Sequence, residues 1–367
     1  MGYPVRAQTA PYGSSGERCR ISQAILHVFD FDSGSTFFSE GALDLSNRAT
    51  RSYVQRHLRK ISSNAESKHG EFSPDSSFAE ELRLFFTGQN DFVGFSVQIA
   101  QWFWEELRRT EDLEQCDLLV ADFTDTDGGK ADGGPDDPET DTTFEGDARR
   151  LFAIILLPRK QAFIHEIDPQ SNEILRQDST LPNPTQKVES YVPVDADTMA
   201  IDFHDKERGV GGETRQIIPE LFLQCSTEAS SHEVIDQVTV IVRDIAEEYG
   251  LTPAVEVSRA KVALSRHADL EQSVTPAEVG REVFEDRPEL ARHYEERIAE
   301  KRLPDEVPVR RGVANRLTKT HRIRTDTGIE ISFPSDLADK PGYIDFVTGP
   351  DGRISINILN VASIENR

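Results

Sequence analysis

Cysteine, lysine and long apolar runs are all scarce in this sequence of 367 residues. Its three cysteines, Cys19, Cys116 and Cys225, form no CxxC pair, which argues against a disulfide framework and favours a reducing compartment. The longest apolar run, LFAIILLP, suits a buried strand and is too short to cross a bilayer. Residues 1–20 contain no apolar segment, so we expect a disordered tail rather than a signal peptide. These absences predict a soluble, cytoplasmic protein with no membrane partner.

Basic residues are few, and arginine supplies most of them. The formal net charge is −24, and only ten of the 41 basic residues are lysines. Residues 122–147 account for −9 of that charge, so the acidity extends along the whole chain. Such an acid-rich, lysine-poor composition is typical of a halophile-like protein in a cell with high internal salt, where surface charges are screened. A GC-rich genome that favours arginine codons is the alternative explanation.

The first half of the chain predicts an N-terminal α+β domain over residues 21–207. ISQAILHVF indicates a first strand, and three amphipathic helices follow, the first of them in SNRATRSYVQRHLRKISS with Ser46 or Asn47 as its N-cap. From residue 115 the pattern changes to short β-rich runs with turn-like connections. Consecutive strands with short connections predict an antiparallel sheet, and we expect the three helices to cover one face of it.

An acidic, glycine-rich insert at 122–147 interrupts two of these strands. It contains ten acidic residues and one lysine between CDLLVADF and LFAIILLP. Its glycine and aspartate spacing fails the calcium-loop templates, so we predict an enlarged hairpin loop rather than a metal site.

The second half predicts a helical region over 213–304 and a small β-rich C-terminal region over 305–367. GVGG at 209–212 is interpreted as a hinge. A capping box at Thr275 and Glu278, with Pro276 at the first helical position, predicts a helix start. GIEISF, YIDFV and RISINIL alternate as strands do. The overall prediction is an α+β fold: an antiparallel sheet covered by helices, a helical middle and a C-terminal β section.

The order of these segments resembles the nucleoid-associated proteins of the YejK/NdpA type. DFVGFSVQIAQWFWEEL, CDLLVADF, LFAIILLPRKQAFIHEI, LPNPTQKVESYVPV and IDFVTGPDGRISINILNVASI carry the resemblance, which covers 21–364. It implies a DNA-associated, dimeric protein of the nucleoid with a role in chromosome organisation and a topoisomerase as a further partner. We expect the homodimer interface in the helical region. The resemblance implies no catalytic residues.

Two acid-free basic segments are the candidate contacts for double-stranded DNA, because phosphate contacts need lysine or arginine. The first lies on the helix near residue 50, where helical spacing predicts one basic face opposite Tyr53, Val54 and Leu58. The second is RRGVANRLTKTHRIR near the C terminus. The candidate residues are Arg48, Arg51, Arg56, Arg59, Lys60, Arg310, Arg311, Arg316, Lys319, Arg322 and Arg324.

Sequence motifs for metals, nucleotides and nucleophiles are missing. The sequence has no HExxH, phosphate loop or GxSxG elbow, so we predict no cofactor, no metal site and no enzymatic activity. One alternative is a metal-dependent nuclease using Asp117 with Asp122, or Glu166 with Asp168. Another is a protein-binding adaptor at the nucleoid, which the overall acidity favours over direct DNA binding.

Overall fold

A computed structural model describes most of the chain and divides it into two compact units, Met1–Thr227 and Glu228–Arg367. The described residues are 19–126, 148–168, 171–309, 314, 317–340, 342–348 and 353–363. Most of the tail predicted at 1–20 lies outside this set. Cys19 and Arg20, however, already belong to the first strand.

The first unit contains a seven-stranded antiparallel sheet. Its strands lie in the order β2-β1-β4-β5-β8-β9-β3, so β4 and β5 are central. The strands are β1 (Cys19–Asp30), β2 (Ser35–Phe37), β3 (Lys68–Gly70), β4 (Cys116–Thr126), β5 (Ala148–Pro158), β8 (Tyr191–Asp195) and β9 (Ile201–Phe203). Together with the helices, this sheet confirms the predicted α+β class.

Helices cover both faces of the sheet, so the prediction that all three would cover one face is wrong. On one face, α1 (Arg48–Ser62) packs Val54, Leu58 and Ile61 against alternate residues of β4 and β5. On the other, α2 (Ser77–Phe86) and α3 (Phe92–Leu107) form an aromatic core with the remaining strand residues. The apolar runs of β4 and β5 are continuous because both of their faces are buried.

The acidic insert begins later than predicted. β4 and β5 pair along their whole length up to Thr126 opposite Ala148, so residues 127–147 connect two strands that are already paired. Asp122 and Asp125 are buried strand residues in β4 rather than loop residues. The insert proper is therefore 127–147, which lies outside the described residues and carries eight acidic residues and one lysine in the sequence.

Two smaller hairpins complete the first unit. β6 (Lys160–Asp168) and β7 (Ser171–Thr180) pair only with each other and are not part of the seven-stranded sheet. β10 (Glu207–Val210) and β11 (Glu213–Gln216) meet at Gly211 and Gly212, both with positive φ. In GVGG, Gly209 and Val210 thus belong to β10, and Gly211 and Gly212 form a tight hairpin turn, not the predicted hinge. A π-helical turn, Ile217–Leu223, adds apolar side chains to the aromatic core.

Four helices form the main part of the second unit: α4 (Ser231–Glu248), α5 (Pro253–Glu271), α6 (Pro276–Val283) and α7 (Pro288–Lys301). A capping box starts α4, where Ser230 and Glu233 bond each other's backbone. At α6 the cap residue is Thr275, as predicted, but its side chain makes no capping bond. The helix α5 was not predicted from the sequence; it packs against α4 and α6, and its buried residues include Ala260 and Ala263.

Short hairpins complete the second unit. β12 (Ser273–Val274) pairs with β13 (Val307–Pro308), β14 (Thr320–Arg324) with β15 (Glu330–Pro334), and β16 (Ile344–Thr348) with β17 (Ile354–Ile358). A short α8 (Asp336–Asp339) shares a small apolar cluster with the last two hairpins. In the part of the chain that the structure describes, no helix is long and apolar enough to cross a membrane.

His27 provides a pH-sensitive element in the sheet core. It is fully buried in β1; its Nδ1 accepts from the backbone N–H of Ser39 at 3.1 Å, and its Nε2 lies 3.1 Å from Ser96 Oγ. Burial lowers the pKa of this imidazole from 6.5 to about 4. The folded state therefore binds fewer protons than the unfolded state between these pH values, and stability falls as the pH falls.

Acidification from pH 7 to pH 5 is expected to reduce the free energy of unfolding by about 2 kcal/mol through His27. Denaturant unfolding at several pH values measures this loss. In His27→Gln, whose side chain does not titrate, the same acidification should cost correspondingly less. An equally steep pH dependence in wild type and variant would contradict the assignment to His27.

Candidate nucleic-acid interface

The outer face of α1 presents three arginines to solvent. Arg48, Arg56 and Arg59 are exposed, and helical spacing brings them to one side. Val54, Leu58 and Ile61 on the opposite side fix the helix on the sheet. The backbone positions of these three residues span about 16 Å along the helix axis. We call Arg48, Arg56 and Arg59 the α1 arginine face.

The other two predicted residues of this helix lie at the margins of the α1 arginine face. Arg51 is half-buried and donates from Nη1 to the carbonyl oxygen of Leu45 at 3.0 Å. Lys60 is half-buried and donates to the carbonyl oxygens of Thr185 and Gln186. The sequence predicted one face of five basic residues. In the structure, three of these side chains have no partner among the described residues, and the other two donate to backbone carbonyl oxygens of neighbouring loops.

The α1 arginine face differs from most of the arginines in the described chain because it has no acidic partner. Most other arginines pair with a carboxylate, as Arg109 does with Glu106. Among the described residues, the side chains of the α1 arginine face have no ion-pair or hydrogen-bond partner. No acidic residue occurs in the sequence from 45 to 65. The face is thus an uncompensated positive surface on an acidic protein.

The C-terminal basic segment is described only in part. Arg310, Arg311 and Arg316 lie outside the described residues. Lys319 and Arg322 are exposed, and within the described chain their side chains have no partner. Arg324 is also exposed, but its Nε lies 3.9 Å from Oε1 of Glu330 on the paired strand. Two free cations therefore occur at β14, and a third is partly neutralised.

A lysine that was not among the predicted residues contacts the backbone of β14. Lys261 on α5 donates from Nζ to the carbonyl oxygen of Thr320 at 3.1 Å, and burial lowers the pKa of its amine. Next to it, burial and the charge of Lys261 lower the pKa of His321 to about 4, so this histidine adds no positive charge at neutral pH. Lys261 was not predicted because the small buried residues of α5 give too weak a helical pattern for this helix to be recognised in the sequence.

The positions of Asp117 and Asp122 argue against these two carboxylates acting together as the metal ligands of a nuclease. Asp117 and Asp122 are five residues apart on β4 and therefore point to opposite faces of the sheet. Arg159 Nε lies 3.2 Å from Asp117 Oδ1, and Arg150 binds Asp122 with two bonds of 3.0 Å. Burial raises the pKa of Asp117 to about 6, and Arg159 partly offsets that increase. Each carboxylate is paired with an arginine, and the two do not converge on one ion.

No group of three potential ligands that could hold a metal ion occurs among the described residues. The side chains of Glu166 and Asp168, the second suggested pair, lie outside the described set.

A comparison with protein families matches residues 25–365 to the family described as nucleoid-associated protein YejK. The chain belongs to this family. The YejK-family match includes α1, both compact units and the β14 segment, and it confirms the resemblance predicted from the segment order. Comparison with curated proteins gives no match. Membership of the YejK family supports a nucleoid-associated role for the chain.

Proposed function

We propose that this protein binds double-stranded DNA in the nucleoid, largely independently of sequence, and contributes to chromosome organisation without catalysing a reaction. The observation that carries the proposal is the α1 arginine face: three exposed, unpaired arginines in a chain of net charge −24 that belongs to a nucleoid-associated family. Lys319, Arg322 and Arg324 form the second proposed contact, together with Arg310, Arg311 and Arg316 in the same basic run. The protein acts in the cytoplasm as a homodimer.

The position of α1 favours phosphate contacts over base readout. The helix lies on the sheet along its length, with Val54, Leu58 and Ile61 buried, so its arginine side chains project but its backbone stays on the scaffold. A recognition helix must enter the major groove to reach base edges. Arginines on a helix that is fixed to a sheet can reach phosphates without such entry, and phosphate contacts carry no sequence information directly.

An adaptor role is the second candidate function, because the acidic surface as a whole repels DNA. In that case the protein would reach the nucleoid through another protein, for example a topoisomerase. Pull-down before and after nuclease digestion separates the two functions. A partner that remains bound after the DNA is digested supports the adaptor, and a partner lost with the DNA supports direct binding.

Direct binding predicts a specific salt effect for the C-terminal segment. The double variant Lys319→Gln/Arg322→Gln should weaken binding of a duplex by about 50-fold at 0.1 M salt, because two phosphate contacts are lost. Fluorescence anisotropy with a labelled duplex measures the dissociation constant across a salt series. The slope of log K against log salt should decrease in magnitude by about 2.

The matched control is Arg281→Gln/Lys340→Gln, which removes the same charge from the same unit at residues that are paired with Glu295 and Asp336. It should bind nearly as well as the wild type. Equal losses in the two variants would mean that only net charge matters, which would contradict a contact at β14.

A further inference from the structure

The ammonium group of Lys261 lies at the first residue of β14. Its Nζ donates to the carbonyl oxygen of Thr320 at 3.1 Å, which attaches the middle of α5 to the start of this strand. An ammonium group has three N–H donors, and no second hydrogen-bond partner of this side chain occurs among the described residues. Two N–H donors of a half-buried side chain are therefore unused within the described protein.

Two further cations lie beside Thr320. Lys319 precedes it in the chain, and Arg322 follows it on the same face of β14, because alternate residues of a strand share a face. Both side chains are exposed and have no partner in the part of the chain that the structure describes, whereas His321 faces inward and is buried. Three positive side chains thus lie next to one exposed threonine. We call Lys261, Lys319 and Arg322 the Thr320 cation cluster.

The Thr320 cation cluster has no carboxylate partner among the described residues. None of its side chains forms an ion pair there, in contrast to Arg324 at the other end of β14, which lies near Glu330. The carboxylate that favours the charged form of Lys261 belongs to Asp236 on α4, which is outside ion-pair distance of the amine. Neighbouring like charges repel each other, and burial lowers the pKa of the Lys261 amine further. A bound anion would remove this repulsion, so the arrangement favours an anionic ligand.

The donors at this site match phosphate groups better than a carboxylate. Phosphate oxygens point in several directions and accept both from the planar fork of a guanidinium and from single ammonium groups. The hydroxyl of Thr320 adds a neutral donor among the three cations. A planar carboxylate has two oxygens, which one arginine can already engage. The number and spread of the donors therefore point to phosphate.

We propose that Lys261, Lys319 and Arg322 form one site for phosphate groups around Thr320, and that neighbouring phosphates of a DNA strand occupy it. The proposal deepens the proposed DNA binding, on which it rests, because it adds a residue of α5 to the contact at β14. The sequence run that contains Lys319 and Arg322 does not contain this residue, so the site exists only in the folded unit.

Lys261→Gln tests the site in duplex binding. The variant should weaken binding by about 8-fold at 0.1 M salt and decrease the magnitude of the slope of log K against log salt by about 0.9, because one phosphate contact is lost. Fluorescence anisotropy with a labelled duplex across a salt series measures both values. Lys261→Arg keeps the charge and should restore the slope. A purely structural role of Lys261 would lower the thermal stability of the chain without changing the slope.

The matched control is Lys301→Gln, which removes one lysine charge from the same unit. Lys301 ends α7, is exposed and, like Lys261, forms no ion pair in the described chain. This control should keep the wild-type affinity and slope. An equal change of slope in the two variants would show that the position of the charge is irrelevant, and the site would be refuted.

A measurement without DNA separates this site from the proposed function. Inorganic pyrophosphate, which carries two linked phosphate groups, is titrated into the full chain at low salt and followed by calorimetry. Lys261→Gln should weaken its binding by about 10-fold, because a hydrogen bond to a charged group is lost, and Lys301→Gln should not weaken it.

The two assays fail independently. If the wild type binds pyrophosphate through Lys261 but binds no duplex, the phosphate site stands and the proposed DNA binding is wrong. A wild type that binds no pyrophosphate would overturn the site, and so would a Lys261→Gln variant that binds pyrophosphate as tightly as the wild type does.

Discussion

Replacing Arg48, Arg56 and Arg59 together by glutamine is expected to weaken duplex binding by about 500-fold at 0.1 M salt. The three side chains are exposed and unpaired in the described chain, so they are available to neutralise three phosphates. Each phosphate contact releases condensed counterions, and the released ions contribute most of the binding free energy at low salt. Because the residues lie opposite the buried stripe of α1, glutamine should leave the fold intact.

The measurement is the salt dependence of binding for several unrelated duplex sequences, with fluorescence anisotropy as the readout. The slope of log K against log salt should decrease in magnitude by about 3, because each lost arginine–phosphate contact contributes about 0.9 to the slope. The loss should be nearly equal for every duplex, because phosphate contacts do not distinguish bases.

A control variant with the same change in net charge distinguishes a local DNA contact at α1 from a general electrostatic effect of the protein's charge. Arg108→Gln/Arg109→Gln/Arg215→Gln removes three positive charges from the same unit, but these arginines pair with Glu105, Glu106 and Glu213. The control should retain most of the affinity and the wild-type slope. If it loses as much affinity as the α1 variant, α1 is not the DNA contact.

Gly280→Ala is expected to destabilise the helical unit by about 3 kcal/mol, although alanine is the better helix former. A methyl group at this position of α6 would lie 1.9 Å from Cδ1 of Tyr294 on α7. Tyr294 is fully buried, and its hydroxyl donates to the carbonyl oxygen of Pro276 at 3.0 Å, so the ring cannot move aside without losing that bond. The two helices are close because position 280 has no side chain.

Denaturant unfolding measures the loss, and a double-mutant cycle identifies its cause. In a Tyr294→Ala background the clash no longer exists, so Gly280→Ala should be neutral or should stabilise through helix propensity. Tyr294→Ala alone should destabilise by about 4 kcal/mol because it leaves a cavity. If the loss at Gly280 is equally large in both backgrounds, contact with the ring is not its cause.

Local patterns predicted the elements of the fold better than their arrangement. Asn47 caps α1 through its side chain, as the sequence indicated, and the apolar runs became the paired strands β4 and β5. The placement of α1 on the face opposite α2 and α3 was not predicted, because a strand that is apolar throughout is consistent with helices on either face. The unbroken runs nevertheless indicated that both faces are buried.

Elements that lack a strong pattern were missed. α5 buries small residues such as Ala260, Ala263 and Ala268, which give little apolar contrast with its exposed face. β14 alternates buried and exposed residues, but with Arg322 and Arg324 on its exposed face it was identified only as part of a basic segment, and no strand was predicted there. In both elements, tertiary packing rather than local propensity decides the structure.

The sequence identified the basic residues of the candidate site on α1, but it could not show which of them are unpaired. Helical spacing alone was enough to identify Arg48, Arg56 and Arg59 as neighbours on one side of α1. Sequence could not show that Lys60 binds the carbonyl oxygens of Thr185 and Gln186, since those residues are more than 120 positions away. Long-range backbone acceptors of this kind decide which basic residues remain unpaired among the described residues.

The pairing of Thr126 with Ala148 has a consequence for how this protein can vary. The ladder between β4 and β5 is complete before the acidic insert begins, so no cross-strand pair depends on the length or composition of 127–147. The connection can therefore be lengthened, shortened or given a different charge while β4 and β5 keep their register. The same property makes the position a graft point, where an affinity tag or a fluorescent domain can be inserted without interrupting a strand.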